Sequence, residues 1–166
     1  MTPNLLHLAQ TTRRPITLQG GRRCLPLGQI HERTLALTWG DGGPRLEYAD
    51  DLANEIGEYL PEIAPLAGQG FTGTDAYEAI GQMILRPEMR CFMSYRKQDG
   101  EEWSRFVCNL AVYSGKTHTD QFTGVYAPGE QGEGIKRTFK LEGTRSVALT
   151  GKLVWIPAKG IYEVSI

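Results

Sequence analysis

The chain has 166 residues, a mass of 18.4 kDa, 40% hydrophobic residues and a formal net charge of -1. That length suits one domain with a core of its own, without metals or disulfides. The composition excludes a wholly disordered chain, the lack of a long apolar run excludes a membrane-spanning helix, and the near-zero charge excludes coating duplex DNA by bulk charge alone.

Residues 1–14 are expected to form an extended basic arm ending in Arg13 and Arg14. Pro15 to Gln19, Gly20-Gly21 and Arg22 to Leu27 read as a hairpin, since glycine accepts the positive φ of a tight turn. Thr34 to Trp39 places Leu35, Leu37 and Trp39 on one strand face. The turn Gly40-Asp41-Gly42-Gly43 then leads into a strand from Arg45 to Tyr48.

The period changes after Tyr48. Leu52, Ile56, Leu60 and Ile63 recur at helical spacing, with Asp50 or Asp51 as N-cap. Gly68 to Gly73 reads as a loop. A second helix starts at Thr74 or Asp75, with Asp75-x-x-Glu78 as capping box, and buries Ala76, Ile80, Met83 and Ile84 before Pro87 stops it. Strands are then expected near 88–97, 102–113, 119–127, 135–142, 145–150, 152–157 and 160–165. The expected fold is α+β: a single, mostly antiparallel domain over 1–166, with a two-helix insertion at about residues 50–86 packed on one sheet face.

Asp99-Gly100 is a favoured two-residue hairpin turn. In that register Cys91 faces Cys108, Met93 faces Phe106 and Arg96 faces Trp103. One face then carries Met89, Cys91, Met93, Tyr95, Phe106, Cys108, Leu110 and Val112 as core. The other carries Arg90, Phe92, Arg96, Trp103, Arg105, Val107, Asn109 and Tyr113, a mixture of cations and rings. Such a surface suits a protein interface, because Trp, Tyr and Arg dominate interface hot spots. It also suits single-stranded nucleic acid, with rings stacking on bases and cations tracking phosphates. Opposed Cys91 and Cys108 are within reach of a disulfide, but three cysteines in a chain without a secretory signal are expected to be reduced thiols in the cytoplasm.

Charge is uneven along the chain. Residues 1–45 carry net +4, residues 46–85 carry eight acids and no Lys or Arg, and residues 86–166 carry net +3. Either the acidic segment lies against the basic ones, or it forms a bipolar surface with Glu55, Glu58, Glu62 and Glu78 in water.

Catalytic motifs fail on inspection. In Gly129-Glu-Gln-Gly-Glu-Gly134-Ile-Lys136, Ile135 separates glycine from lysine, Arg137 stands where a P-loop needs Ser or Thr, and two glutamates oppose phosphate. Gly68-x-Gly70-x-x-Gly73 lacks the preceding strand of a dinucleotide fingerprint. His118 with Asp120 is a weak acid–base candidate for a small hydrolase or nuclease. No cofactor or metal is implied. The favoured expectation is a non-catalytic binding or assembly subunit working through protein–protein contacts of the acidic helices and the aromatic/basic hairpin face. Single-stranded nucleic-acid binding is the alternative.

Overall fold

The computed structural model describes residues 14–30, 32–40, 43–52, 67–86, 89–112, 120–159 and 161–165. These form two antiparallel sheets and one α-helix. The small sheet is a meander of β1 (Ile16–Thr17), β2 (Arg23–Ile30), β3 (Arg33–Trp39) and β4 (Arg45–Tyr48). The large sheet contains β5 (Gly68–Thr72), β6 (Arg90–Arg96), β7 (Glu102–Val112), β8 (Gln121–Tyr126), β9 (Lys136–Lys140), β10 (Thr144–Ile156) and β11 (Ile161–Ser165). Its order is β11-β10-β6-β7-β8-β9, with β5 also paired to β10. Helix α1 spans Thr74–Ile84.

The first hairpin forms as its glycines dictate. Leu18 N–H donates to the Arg22 carbonyl, Gly21 N–H donates to the Leu18 carbonyl, and Gly21 takes φ 91°. This is a three-residue loop with the positive φ on its last residue. Pro26 sits in β2 without breaking the small sheet. Strand β1 has ended by then, and a bulge follows between Pro26 and Gly28, so the missing N–H costs no ladder bond to β1.

The two-helix insertion is not borne out, because α1 is the one α-helix among the described residues. The expected start of the first helix is instead a 3-10 turn, Ala49–Leu52, with Leu52 buried. Ile56, Leu60 and Ile63, with Glu55, Glu58 and Glu62, lie outside the described residues. The expected loop at Gly68–Gly73 is also corrected, since Gly68–Thr72 is strand β5, held by β10. Glycine hid this strand, because β5 has one large apolar side chain, the buried Phe71. The two strands expected at 145–150 and 152–157 are one, β10, irregular near its middle.

Helix α1 starts where expected without the expected capping box. Gly73 is the N-cap and no side chain caps the turn. Glu78 is instead 6% exposed and paired with Arg23 of β2 at 3.8 Å. The helix buries Ala76, Ala79, Ile80 and Met83. It packs against β5, β7 and β10 of the large sheet and against β2 and β3 of the small one. Leu25, Leu37, Trp39 and Leu46 from the small sheet therefore share one core with Cys91, Met93, Val107, Leu110, Phe122, Val147 and Leu149 from the large sheet. The other face of the small sheet buries a second cluster, Ile16, Leu18, Cys24, Ala36, Ala49 and Leu52.

Gly81 is the closest approach of helix to small sheet. A Cβ there would lie 2.6 Å from Leu25 Cδ2 and 3.3 Å from Leu37 Cδ2. Overpacking costs about 1–3 kcal/mol, against about 1 kcal/mol gained from helix propensity on replacing glycine by alanine. Gly81→Ala is therefore expected to lower the denaturant midpoint. The same change in a Leu25→Ala background should cost less, because truncating Leu25 opens the space.

Candidate functional site

The β6–β7 hairpin carries the chemistry that the sequence singled out, but in a different register. Lys97 N–H donates to the Glu101 carbonyl and Gly100 N–H to the Lys97 carbonyl. Gly100 alone in the loop has a positive φ, 91°. Asp99 uses its carboxylate to accept from Glu101 N–H at 2.9 Å. The loop is thus three residues, Gln98-Asp99-Gly100, with the same hydrogen-bond pattern as Gln19-Gly20-Gly21. An Asp-Gly pair satisfies either loop, and the one-residue difference moves the partner strand to its other face.

The pairs are Arg96↔Glu102, Tyr95↔Trp103, Ser94↔Ser104, Met93↔Arg105, Phe92↔Phe106, Cys91↔Val107 and Arg90↔Cys108. Chemical matching supports this register. Arg96 Nε donates to Glu102 Oε1 at 2.9 Å, the Ser94 and Ser104 hydroxyls are 2.8 Å apart, and the Phe92 and Phe106 ring centroids are 4.8 Å apart. Opposed charges, hydroxyls and rings are the units of sheet stabilisation. That matching is legible in the sequence, but the Asp99-Gly100 dipeptide alone does not select it over a two-residue turn.

The six candidate binding residues therefore separate. Arg90, Phe92 and Arg96 lie on the outer sheet face, where Phe106 and Cys108 join them. Trp103 and Arg105 lie on the inner face, and Tyr113 lies outside the described residues. The expected opposition of Cys91 and Cys108 is likewise corrected, since Cys91 is opposite Val107 and Cys108 is opposite Arg90; both are free thiols, as expected. Near Asn109, which takes φ 52°, the β7–β8 pairing shifts, so Leu110 returns to the core after Val107. Leu110 was thus correctly expected inside, although the start of β7 was not.

Trp103 stacks on Tyr95 at 5.2 Å and meets Tyr126 edge-on at 5.7 Å. Arg105 lies over the Tyr126 ring at 4.6 Å and the Trp103 ring at 5.7 Å, and Arg137 lies over Tyr126 at 5.2 Å. Together with Phe139 these rings form an aromatic cluster roofed by two guanidinium groups, which holds β6 to β9 together.

The outer face differs. Phe92 and Phe106 are 37% and 38% exposed, and Arg90 lies over the Phe106 ring at 5.2 Å. The neighbouring positions across β10 and β5 are small, with Ala148 opposite Phe92 and Gly70 opposite Ala148. Two carboxylates accompany the cations: Glu102 on Arg96, and Glu130, whose Oε1 accepts from Phe106 N–H at 3.1 Å.

The bipolar surface loses its described part. Arg22 pairs with Glu47 at 3.0 Å, Arg33 with Asp51 at 2.5 Å, and Arg23 with Glu78. The expectation that Glu78 faces water is thus overturned. Basic residues of the N-terminal segment neutralise acids of the middle segment within the fold. Burial opposes the Glu47 charge, but hydrogen bonds from Thr38 and Arg22 and the charges of Arg22 and Arg45 outweigh it, and its carboxyl is held below the ordinary value. Burial, with Glu47 nearby, pushes the Cys24 thiol up to about 12. Burial, with Cys108 nearby, does the same to Cys91, also to about 12.

Of the weak catalytic pair, His118 lies outside the described residues, as do His7 and His31. Asp120 is half-buried, and its backbone carbonyl accepts from Leu141 N–H at 2.8 Å. Among the described residues, no three His, Cys, Asp or Glu side chains gather as a metal site, and no helix is long and apolar enough to cross a membrane. Comparison of the chain with protein families, with curated proteins and with solved structures returns no match.

Two outcomes follow from these environments. The lowered Glu47 carboxyl contributes stability that is complete above its ordinary value of 4.5 and is lost as pH falls through the lowered value. Glu47→Gln should therefore show a flatter decline of melting temperature below that pH than the parent protein. In alkylation of the folded protein at pH 8, Cys108 should react first, because Cys24 and Cys91 are buried thiols that stay protonated. Mass mapping of the modified peptides reads this order directly, and simultaneous labelling of all three would contradict it.

Proposed function

We propose that this protein is a non-catalytic binding or assembly subunit that engages another protein through the outer face of its large sheet. The observation that carries the reading is the exposed Phe92–Phe106 pair at the middle of β6 and β7. A cross-strand ring pair in water gives up apolar burial that the fold could have used. Protein interfaces use such aromatic anchors surrounded by polar side chains. Here the surround is Arg90, Arg96, Glu102, Ser94 and Ser104.

The mixed charge of this face supports one of the two binding classes over the other. A single-strand binder needs an excess of cations along the backbone track. Arg96 is already engaged by Glu102, and Glu130 lies beside Phe106. Trp103 and Arg105, which the nucleic-acid reading needs, are committed to the inner aromatic cluster. Balanced charge with central rings favours a protein partner, with the charges giving orientation. Three of the described acids of the middle segment, Glu47, Asp51 and Glu78, are paired with arginines, so the sheet face bears the proposal without them.

The test is quantitative affinity capture with the parent protein and with a Phe92→Ser/Phe106→Ser variant as matched baits. Both substitutions are at exposed positions, and circular dichroism checks that the fold persists. Proteins retained by the parent should be lost by the variant, and their measured affinity should fall by about 2 kcal/mol or more. A labelled single-stranded oligonucleotide at low salt should bind neither bait. Equal retention by both baits, or tight oligonucleotide binding sensitive to the two substitutions, would overturn the reading.

A further inference from the structure

A second feature lies at the far end of β6, away from Phe92 and Phe106. The β10–β6 pairing runs Thr144↔Tyr95 and then Ser146↔Ser94, so β10 carries one extra residue, Arg145. A bulge residue leaves the ladder and its side chain is re-aimed. Arg145 lines two clefts. One, of about 250 Å³, is bounded by Tyr95, Arg96, Lys97, Gln98, Lys140, Glu142 and Gly143. The other, also about 250 Å³, is bounded by Ser94, Tyr95, Glu102, Trp103 and Ser104. The two meet at Tyr95 and Arg145.

The first cleft is strongly cationic. Arg96, Lys97, Lys140 and Arg145 line it against one carboxylate, Glu142. Arg96 and Lys97 are tied to Glu102 and Glu101 of their own hairpin. Lys140 and Arg145 have no acidic partner among the described residues. Lys140 and Arg145 add positive charge that the single lining carboxylate, Glu142, offsets only in part, and an anion between them relieves their repulsion.

The floor of the cleft is rigid. Lys140 N–H donates to the Tyr95 hydroxyl at 2.8 Å, while the Tyr95 ring is stacked on Trp103 and edge-on to Phe139. Gly143 lies so close that a Cβ there would come within 2.6 Å of the ring and 2.9 Å of the Arg96 carbonyl. Burial, reinforced by Glu142 and Asp120, raises the Tyr95 phenol above its ordinary value. The phenol therefore keeps its proton and, having accepted from Lys140, still has an O–H to donate.

We propose that the cleft formed by Arg145, Lys140, Lys97 and Arg96 over Tyr95 binds a phosphoryl group, as free phosphate or at the end of a small phosphate ester. The chemistry is that of a tetrahedral, multiply charged oxyanion. Arg145 offers a planar fork of donors, the lysines offer point charges, and the tyrosine offers a neutral donor. The volume is below the range of drug-sized ligand pockets, which matches a phosphoryl group with a short substituent and not a whole nucleotide cofactor. The inference does not rest on the Phe92–Phe106 reading: Arg96 borders both places, but neither phenylalanine lines the cleft.

The experiment is titration of the isotope-labelled protein with inorganic phosphate, glycerol 3-phosphate and acetate at matched ionic strength, following amide resonances. Phosphate and glycerol 3-phosphate should shift Tyr95, Gly143 and Arg145, and acetate should not. A tighter constant for glycerol 3-phosphate identifies an ester as the natural form, and a tighter constant for phosphate identifies the free ion. Arg145→Ala should weaken binding about tenfold or more, consistent with loss of charge-assisted hydrogen bonds. Arg145→Lys should retain part of it, and Glu142→Gln should tighten it. Lys152→Ala, on the same strand and outside the cleft, should bind like the parent. Unchanged affinity in Arg145→Ala, equal shifts with acetate, or no shifts with millimolar phosphate would each overturn the proposal.

Discussion

Each sheet has a greasy inner face that must find cover, and in this protein both inner faces pack on the same eleven-residue helix. Helix α1 is buried on more than one side: Ala76, Ala79, Ile80 and Met83 form one apolar stripe, and Glu78, Gly81 and Gln82 are buried beside it. Its small residues are as important as its large ones. Gly81 lets the helix axis settle onto Leu25 and Leu37, and any side chain there would hold the small sheet away. The Arg23–Glu78 pair then fixes the helix against β2 at a position almost closed to water. Removing one partner of a buried ion pair leaves an uncompensated charge, so this contact specifies orientation more than it adds net stability.

That arrangement also explains the charge pattern. Three acids of the middle segment meet arginines of the first segment in the small sheet and α1, as Arg22–Glu47, Arg33–Asp51 and Arg23–Glu78. Neutralisation within the fold is the cheapest use of such a pattern, because paired charges at short range gain more than exposed charges separated by water. The later segment has more cations than acids, and part of that excess collects where Lys140 and Arg145 face the end of β6.

The large sheet divides its aromatic residues between two tasks. On the inner face, Tyr95, Trp103, Tyr126 and Phe139 interlock under Arg105 and Arg137. On the outer face, Phe92 and Phe106 touch each other and water. The first set is explained by folding alone. The second is not, and it is the reason a partner is proposed for this face. Irregular pairing serves both faces: the bulge near Asn109 returns Leu110 to the core, and the bulge at Arg145 directs a cation to the cleft.

The order of residues alone carries the α+β class, the antiparallel pairing, the glycine hairpin before β2, strands β6 to β9 and β11, and the extent of α1. These rest on local signals, namely period two, period 3.6 and positive-φ residues, each visible within about ten residues. Tertiary structure decided what depends on contacts distant in the chain. Strand β5 has little hydrophobic signal and exists because β10 offers it an edge to pair with. Glu78 left its expected capping role because Arg23, far away in sequence, awaited it across the helix–sheet interface. The β6–β7 register turned on a single residue of loop length, for which Asp99-Gly100 was compatible with two answers. The separation of Trp103 and Arg105 from Phe92 followed from that one residue, because in a strand a shift of one exchanges the buried face for the exposed one.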